Sequence, residues 1–222
     1  MNRLARACLV TVVLIAALAA PGAANASSND PIVFVHGYGG NSSGWDTFKS
    51  WLIADGYDSS DFAVVDYGIT ESNVGIAQKV KQASDQLRTS TGAAKVDIVT
   101  HSMGGLSSRY YVKNLGGASY VNQFVSIAGP NHGTTLALAC TLFLEPCREM
   151  TPGGSFLKAL NAVDETPGPV DYLTIRSICD EIVVPFTSTP LSGATNVSAG
   201  CKEHILMNRD ADVYASVKSF IQ

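Results

Sequence analysis

Chemistry in this chain centres on Thr100-His101-Ser102-Met103-Gly104-Gly105, which follows the mostly apolar run Val96-Asp97-Ile98-Val99. A buried strand, a tight turn with a serine at its apex and an immediate helix start make a nucleophile elbow, which holds a hydroxyl up for attack. A lone serine hydroxyl is a weak nucleophile until a base takes its proton. The elbow therefore requires a histidine, an acid to orient it, and two amide donors for the oxyanion that forms on a carbonyl.

Four histidines compete for the base. His101 adjoins the serine, and in an extended run its side chain should point away from it. His36 belongs to the glycine turn His36-Gly37-Tyr38-Gly39-Gly40, and His132 to Gly129-Pro130-Asn131-His132-Gly133-Thr134. Elbow enzymes of this type order their residues serine, acid, histidine, and only His204 has a credible acid between itself and Ser102. That acid is Asp180, in Ser177-Ile178-Cys179-Asp180-Glu181-Ile182-Val183. Its neighbour Glu181 should face elsewhere, and Asp164, Glu165 and Asp171 read as solvated loop charges. The oxyanion donors are expected to be the backbone amides of Met103, just past the nucleophile, and Tyr38, in the glycine turn. The first elbow position is Thr100 where glycine is usual. Strand and helix nearly touch there, so slightly altered helix packing is expected.

These groups need a scaffold that delivers them to one edge. Short apolar runs recur at Ile32–Val35, Phe62–Asp66, Val96–Thr100, Phe124–Ala128 and Tyr172–Ser177, with a weaker one near Asn196–Ser198. Most are too apolar for a half-exposed strand, which points to a parallel sheet covered on both faces. Val74, Ala77, Val80, Ala83 and Leu87 recur at helical spacing and stop near Gly92, and Val213, Tyr214, Val217, Phe220 and Ile221 do the same at the end of the chain. Strands alternating with helices give an open α/β sheet, whose sites gather at the carboxyl ends of the strands.

The first 26 residues read as a cleaved signal peptide. Arg3 and Arg6 precede an apolar run from Cys8 to Ala20, shorter than the ~20 residues a membrane span needs, and Ala24-Asn25-Ala26 fits a cleavage site. Residues 27–222 then form one exported catalytic domain of about 196 residues, long enough for a sizeable core. Its net charge falls from −4 to about −6 once Arg3 and Arg6 are gone, and no basic run suggests nucleic acid as a partner. Cys140, Cys147, Cys179 and Cys201 remain, an even number that suits disulfides in an exported chain. Of the three possible connectivities, 140–147 and 179–201 are favoured; the second would tie together the loops of Asp180 and His204. No C-x-x-C spacing suggests zinc.

Taken together, Val33-Phe34-Val35-His36-Gly37-Tyr38-Gly39-Gly40, the Thr-His-Ser-Met-Gly-Gly elbow and the Asp180 and His204 segments resemble the α/β-hydrolase superfamily. Within it they resemble the small secreted bacterial lipases of class 2 or family I, whose compact, lidless members carry Ala-His-Ser-Met-Gly-Gly. The resemblance implies a minimal fold with about six parallel strands and helices on both faces. It also implies a Ser102, Asp180, His204 triad with Tyr38 and Met103 as oxyanion donors, and hydrolysis of carboxylic esters without cofactor or metal.

The expected partner is a lipid or other ester, met at a lipid–water interface without stable membrane insertion, by a monomer. Leu136 to Cys147 reads either as a core-packing helix or as a cleft rim, with Leu142, Phe143 and Leu144 meeting an acyl chain. Trp45 and Trp51 are expected in the core or half-buried on a helix. The same triad would serve a polyesterase, acyltransferase or thioesterase. A non-catalytic binding protein on this fold should have lost a triad member or an oxyanion glycine, and none is lost.

Overall fold

The computed structural model describes residues 29–222; the segment 1–26, read above as a signal peptide, lies outside the described residues. Six strands form one parallel sheet: β1 (Ile32–Val35), β2 (Phe62–Val65), β3 (Val96–His101), β4 (Val121–Ile127), β5 (Asp171–Arg176) and β6 (Thr195–Ser198). Their spatial order is β2-β1-β3-β4-β5-β6, and every pairing is parallel. The longer helices are α1 (Asp46–Ala54), α2 (Asn73–Thr91), α3 (Gly104–Asn114) and α6 (Ala211–Ile221), with the short α4 (Glu145–Glu149) and α5 (Ser155–Asn161) between β4 and β5. This is the minimal α/β-hydrolase arrangement.

Strand alternation sorts the core into two layers. Ile32, Phe34, Val99, Val125 and Leu173 face α1 and α6, against Phe48, Leu52, Val213 and Val217. Val33, Val35, Val96, Ile98 and Phe124 face α2 and α3, against Ile76, Val80, Leu106 and Val112. Helices on both sides bury all of β1, a continuous hydrophobic run, and all of β3, which also carries the buried polar Asp97, Thr100 and His101. The edge strand β6 carries Thr-Asn-Val-Ser, mostly exposed, which explains its weak sequence signal.

Helix ends follow local chemistry. Ser72 caps α2 by accepting the Gly75 amide, and Gly92 ends it at φ 74°, a left-handed turn that favours glycine. Asp210 caps α6 through the amides of Asp212 and Val213. Trp45 is fully buried against Phe34, ring centroids 4.9 Å apart, while Trp51 is half-buried against Tyr214.

The chain runs from β1 outward to β2, then crosses back to place β3 on the other side of β1. This reversal opens a crevice between the ends of β1 and β3, where ligands bind in sheets of this kind. The glycine turn follows β1 and Ser102 follows β3, so both meet there.

Candidate active site

Ser102 sits between β3 and α3 at φ 54°, a left-handed conformation that costs a non-glycine residue of order 1–2 kcal/mol. Neighbouring structure imposes it: the Ser102 amide donates to Ile127 O (2.9 Å), and Ser102 O accepts the Gly105 amide (3.0 Å). Two glycines make room. A Cβ on Gly37 would come within 2.7 Å of Ser102 Cβ, and one on Gly104 would come within 2.5 Å of His36 O. The glycine turn and the first turn of α3 therefore press against the serine as no other residue would allow.

Thr100 is accommodated. It is fully buried, and its hydroxyl donates to Val125 O on the neighbouring strand (2.8 Å), while Gly105 supplies the space between strand and helix. Among the described residues, neither the Tyr38 nor the Met103 amide has a hydrogen-bond partner. The turn carrying Tyr38 is held from below. His36 stacks on Tyr67 (centroids 4.1 Å) and lies 3.4 Å from Asp66, and the Tyr67 hydroxyl donates to His36 O.

His204 and Asp180 meet from different loops. His204 Nδ1 donates to Asp180 Oδ2 at 2.9 Å, with both side chains buried. Asp180 Oδ1 accepts the Ile182 amide (3.0 Å) and the Val183 amide (2.7 Å). Burial works against charge on this carboxyl, but the His204 imidazole and those amides outweigh it and hold the group below the usual carboxylate range. Both expected cystines form, Cys140–Cys147 and Cys179–Cys201, the latter joining the Asp180 and His204 loops.

Ser102 and His204 line one cavity of about 500 Å³, together with Tyr38, His101, Leu136 and Ile205. Ala137, Met150, Ile182 and Val183 make much of the rest of its wall apolar. Among the described residues no hydrogen bond reaches Ser102 Oγ. Catalytic bonds of this kind often tighten only with substrate in place.

Several expectations need correction. Leu142 and Phe143 do not line the cavity. They stand 85% and 81% exposed at the tip of the loop that the Cys140–Cys147 bridge closes, while the two cysteines themselves are among the lining residues. Leu144 caps α4 and also lies outside the lining. The core-helix reading of 136–147 fails too: Thr135–Cys140 is a 3-10 turn with Leu136 and Leu138 half-exposed. Glu181 is exposed, yet it accepts the His204 backbone amide (3.1 Å). Glu165 is more than a solvated charge, since it accepts from His132 Nε2 (2.7 Å) and from the Ser192 amide (2.7 Å). His132 is thereby engaged outside the cavity. His101 does not leave the site: the positive φ at Ser102 ends the strand's alternation, and its ring lies 4.8 Å from that of His204. The apolar wall residues Ile182, Val183 and Ile205 were also missed. Their signal was adjacency, since each lies within three residues of Asp180 or His204.

The family model for lipase (class 2) matches residues 29–212. The chain belongs to that family. This makes it a lipase-type hydrolase whose substrate is a lipid or other ester. Among solved structures, it superposes on the mature form of Bacillus licheniformis lipase BlEst2 with a TM-score of 0.75 and 18% identity, over 87% of this chain and 92% of that one. Aspergillus fumigatus lipase B gives 0.71 and 19%, over 84% of this chain and 51% of that longer one. The lin2722 gene product from Listeria innocua gives 0.64 and 16%, over 87% and 94%. At these identities the superpositions speak to the shared fold.

Proposed function

We propose that this lipase-family chain hydrolyses carboxylic esters of apolar acyl chains, acylglycerols among them, through an acyl-enzyme on Ser102. In this reading Ser102 Oγ attacks the ester carbonyl as His204 Nε2 takes its proton. Asp180 holds the imidazole in the tautomer with Nδ1 protonated and stabilises the imidazolium. The oxyanion forms against the amides of Tyr38 and Met103. His204 then protonates the departing alcohol, and water, activated in the same way, releases the acid and restores the serine.

The observation that carries the reading is one juxtaposition: the strained Ser102 and a His204 hydrogen-bonded to Asp180 line the same largely apolar cavity. Its volume suits a small ligand and exceeds what the reacting groups alone require. Leu136, Ile182 and Ile205 supply apolar surface for a chain, and each buried methylene gains ~0.8 kcal/mol. Export after removal of 1–26 belongs to the proposal, since two disulfides persist best in an oxidising compartment. Residues 27–222 then act as a single monomeric catalytic unit.

The test is a rate profile over p-nitrophenyl esters of increasing acyl length, set beside emulsified triglyceride. We expect kcat/KM to rise by up to about fourfold per added methylene until the cavity is filled, with triglyceride turned over as well. A profile that peaks at acetate, with triglyceride untouched, would replace the lipase reading by a short-chain esterase.

A further inference from the structure

Five consecutive residues, Ser177 to Glu181, are fastened to the segment that carries His204. The Ile178 amide donates to Gly200 O (2.9 Å), and Ser177 Oγ exchanges hydrogen bonds with the carbonyl (2.6 Å) and amide (2.8 Å) of Lys202. Cys179 is bonded to Cys201. Asp180 and Glu181 accept from the side chain and the backbone amide of His204. Acid and base are thus one body. Ser102 belongs to a second, the β3 turn and α3. Whether the base meets the nucleophile depends on how the two bodies are joined. Among the described residues one hydrogen bond links the segment 200–209 to that turn: His101 Nε2 to His204 O, 2.9 Å and buried.

We propose that His101 is a positioning residue whose Nε2–H grips the main-chain carbonyl of His204 and sets the approach of that imidazole to Ser102. The inference rests on the reading of Ser102 as nucleophile and His204 as base.

The chemistry is constrained from several sides. A carbonyl oxygen only accepts, so His101 carries its proton on Nε2, and one proton suffices. Nδ1 can then remain a lone pair toward the glycine turn, 3.3 Å from where a Cβ on Gly37 would stand. Neutrality matters because the His204 ring is 4.8 Å away, and an imidazolium at 101 would oppose the one that forms at 204 during turnover. The titratable groups facing His101 are His204 and Asp180 on the acid–base body and His36 at the end of β1. Burial, helped by His204 and His36, drives His101 down to about 3, while the carbonyl bond and Asp180 pull the other way. His101 therefore stays an uncharged donor through the pH range in which an imidazole base works.

A glutamine at 101 could present an uncharged N–H at similar reach. Asparagine is too short, and leucine has no donor. The experiment measures kcat and KM on one p-nitrophenyl ester, with melting temperature, for the parent, H101Q, H101N and H101L, and with S102A as control. A misplaced base costs rate, on the order of 10–100-fold, and leaves ground-state binding alone. H101L and H101N should therefore lose kcat by about that factor with KM within about threefold, and H101Q should recover to within about fivefold of the parent. Should H101L fail to fold, the comparison of H101N with H101Q decides. Parental kcat in H101N or H101L, or equal losses in H101Q and H101N, overturns the proposal. Undiminished turnover by S102A would instead overturn the nucleophile reading, a separate outcome.

Discussion

Two cystines close loops at the same edge of the sheet, and they do opposite things to the chain around them. Cys179–Cys201 joins the loops after β5 and β6, and the residues beside it turn inward: Asp180 and His204 are buried and hydrogen-bonded to each other. Cys140–Cys147 closes a local loop, and the residues inside it turn outward, Leu142 and Phe143 being the most exposed large side chains of the site's surroundings. The first bridge runs parallel to a set of hydrogen bonds that already define a geometry. The second closes a loop with its own local bonds, the Phe143 and Leu144 amides donating to Cys140 O, and both of its cysteines line the cavity. The same covalent bond thus accompanies a buried acid–imidazole pair in one region and a cavity boundary in the other.

The largest expected effect sharpens the first half of this comparison. Asp180→Asn should keep acceptor contact with the Ile182 and Val183 amides while removing the charge that selects the His204 tautomer. Loss of tautomer control lowers kcat by about 10³–10⁴-fold, and the variant should stay folded. A kcat within tenfold of the parent would show that Asp180 merely braces its loop. The carboxyl's lowered pKa also has a stability sign. Its contribution is present above the unfolded carboxylate pKa and is lost as pH falls through the lower folded value, so D180N should flatten the acid limb of stability against pH.

Next in size is removal of each bridge in turn. Closing 22 residues restricts the unfolded chain by about 3.4 kcal/mol and closing seven by about 2.4 kcal/mol on the loop-entropy model. The stability difference between C179S/C201S and C140S/C147S is therefore small, near 1 kcal/mol by denaturant titration. The activities should separate more clearly. The first variant should lose kcat by roughly tenfold as base and acid loosen, whereas the second should keep kcat within about twofold. The reverse order would break the comparison.

The legibility of this molecule in its sequence followed the same division. β1 could be read because burial on both faces leaves it no polar residue, β3 because Val96, Ile98 and Val99 lead into the elbow despite the buried Asp97, and α2 because a regular apolar face runs up to Gly92. β4 begins at Val121, earlier than its apolar run suggests, because Asn122 and Gln123 sit half-buried within it. Ser102, Asp180 and His204 were nameable because the elbow fixes both residue types and their order. The structure brings Ser102 and His204 to one cavity, with Asp180 hydrogen-bonded to His204, and their roles are for the experiments above. Exposure was the illegible quantity. Nothing in Leu142-Phe143-Leu144 distinguishes a chain that lines a cleft from one that leans away from it, because an apolar run does not reveal its own exposure. His101 was hidden for another reason, because strand alternation ceases to hold where Ser102 adopts φ 54°.

The most direct measurement is the site and rate of covalent labelling by an alkyl p-nitrophenyl phosphonate, followed by peptide mass in the parent and in H204A. The account predicts one adduct, on Ser102, forming at least ~10³-fold more slowly when His204 is replaced. An adduct on another residue, or an undiminished labelling rate in H204A, would contradict it.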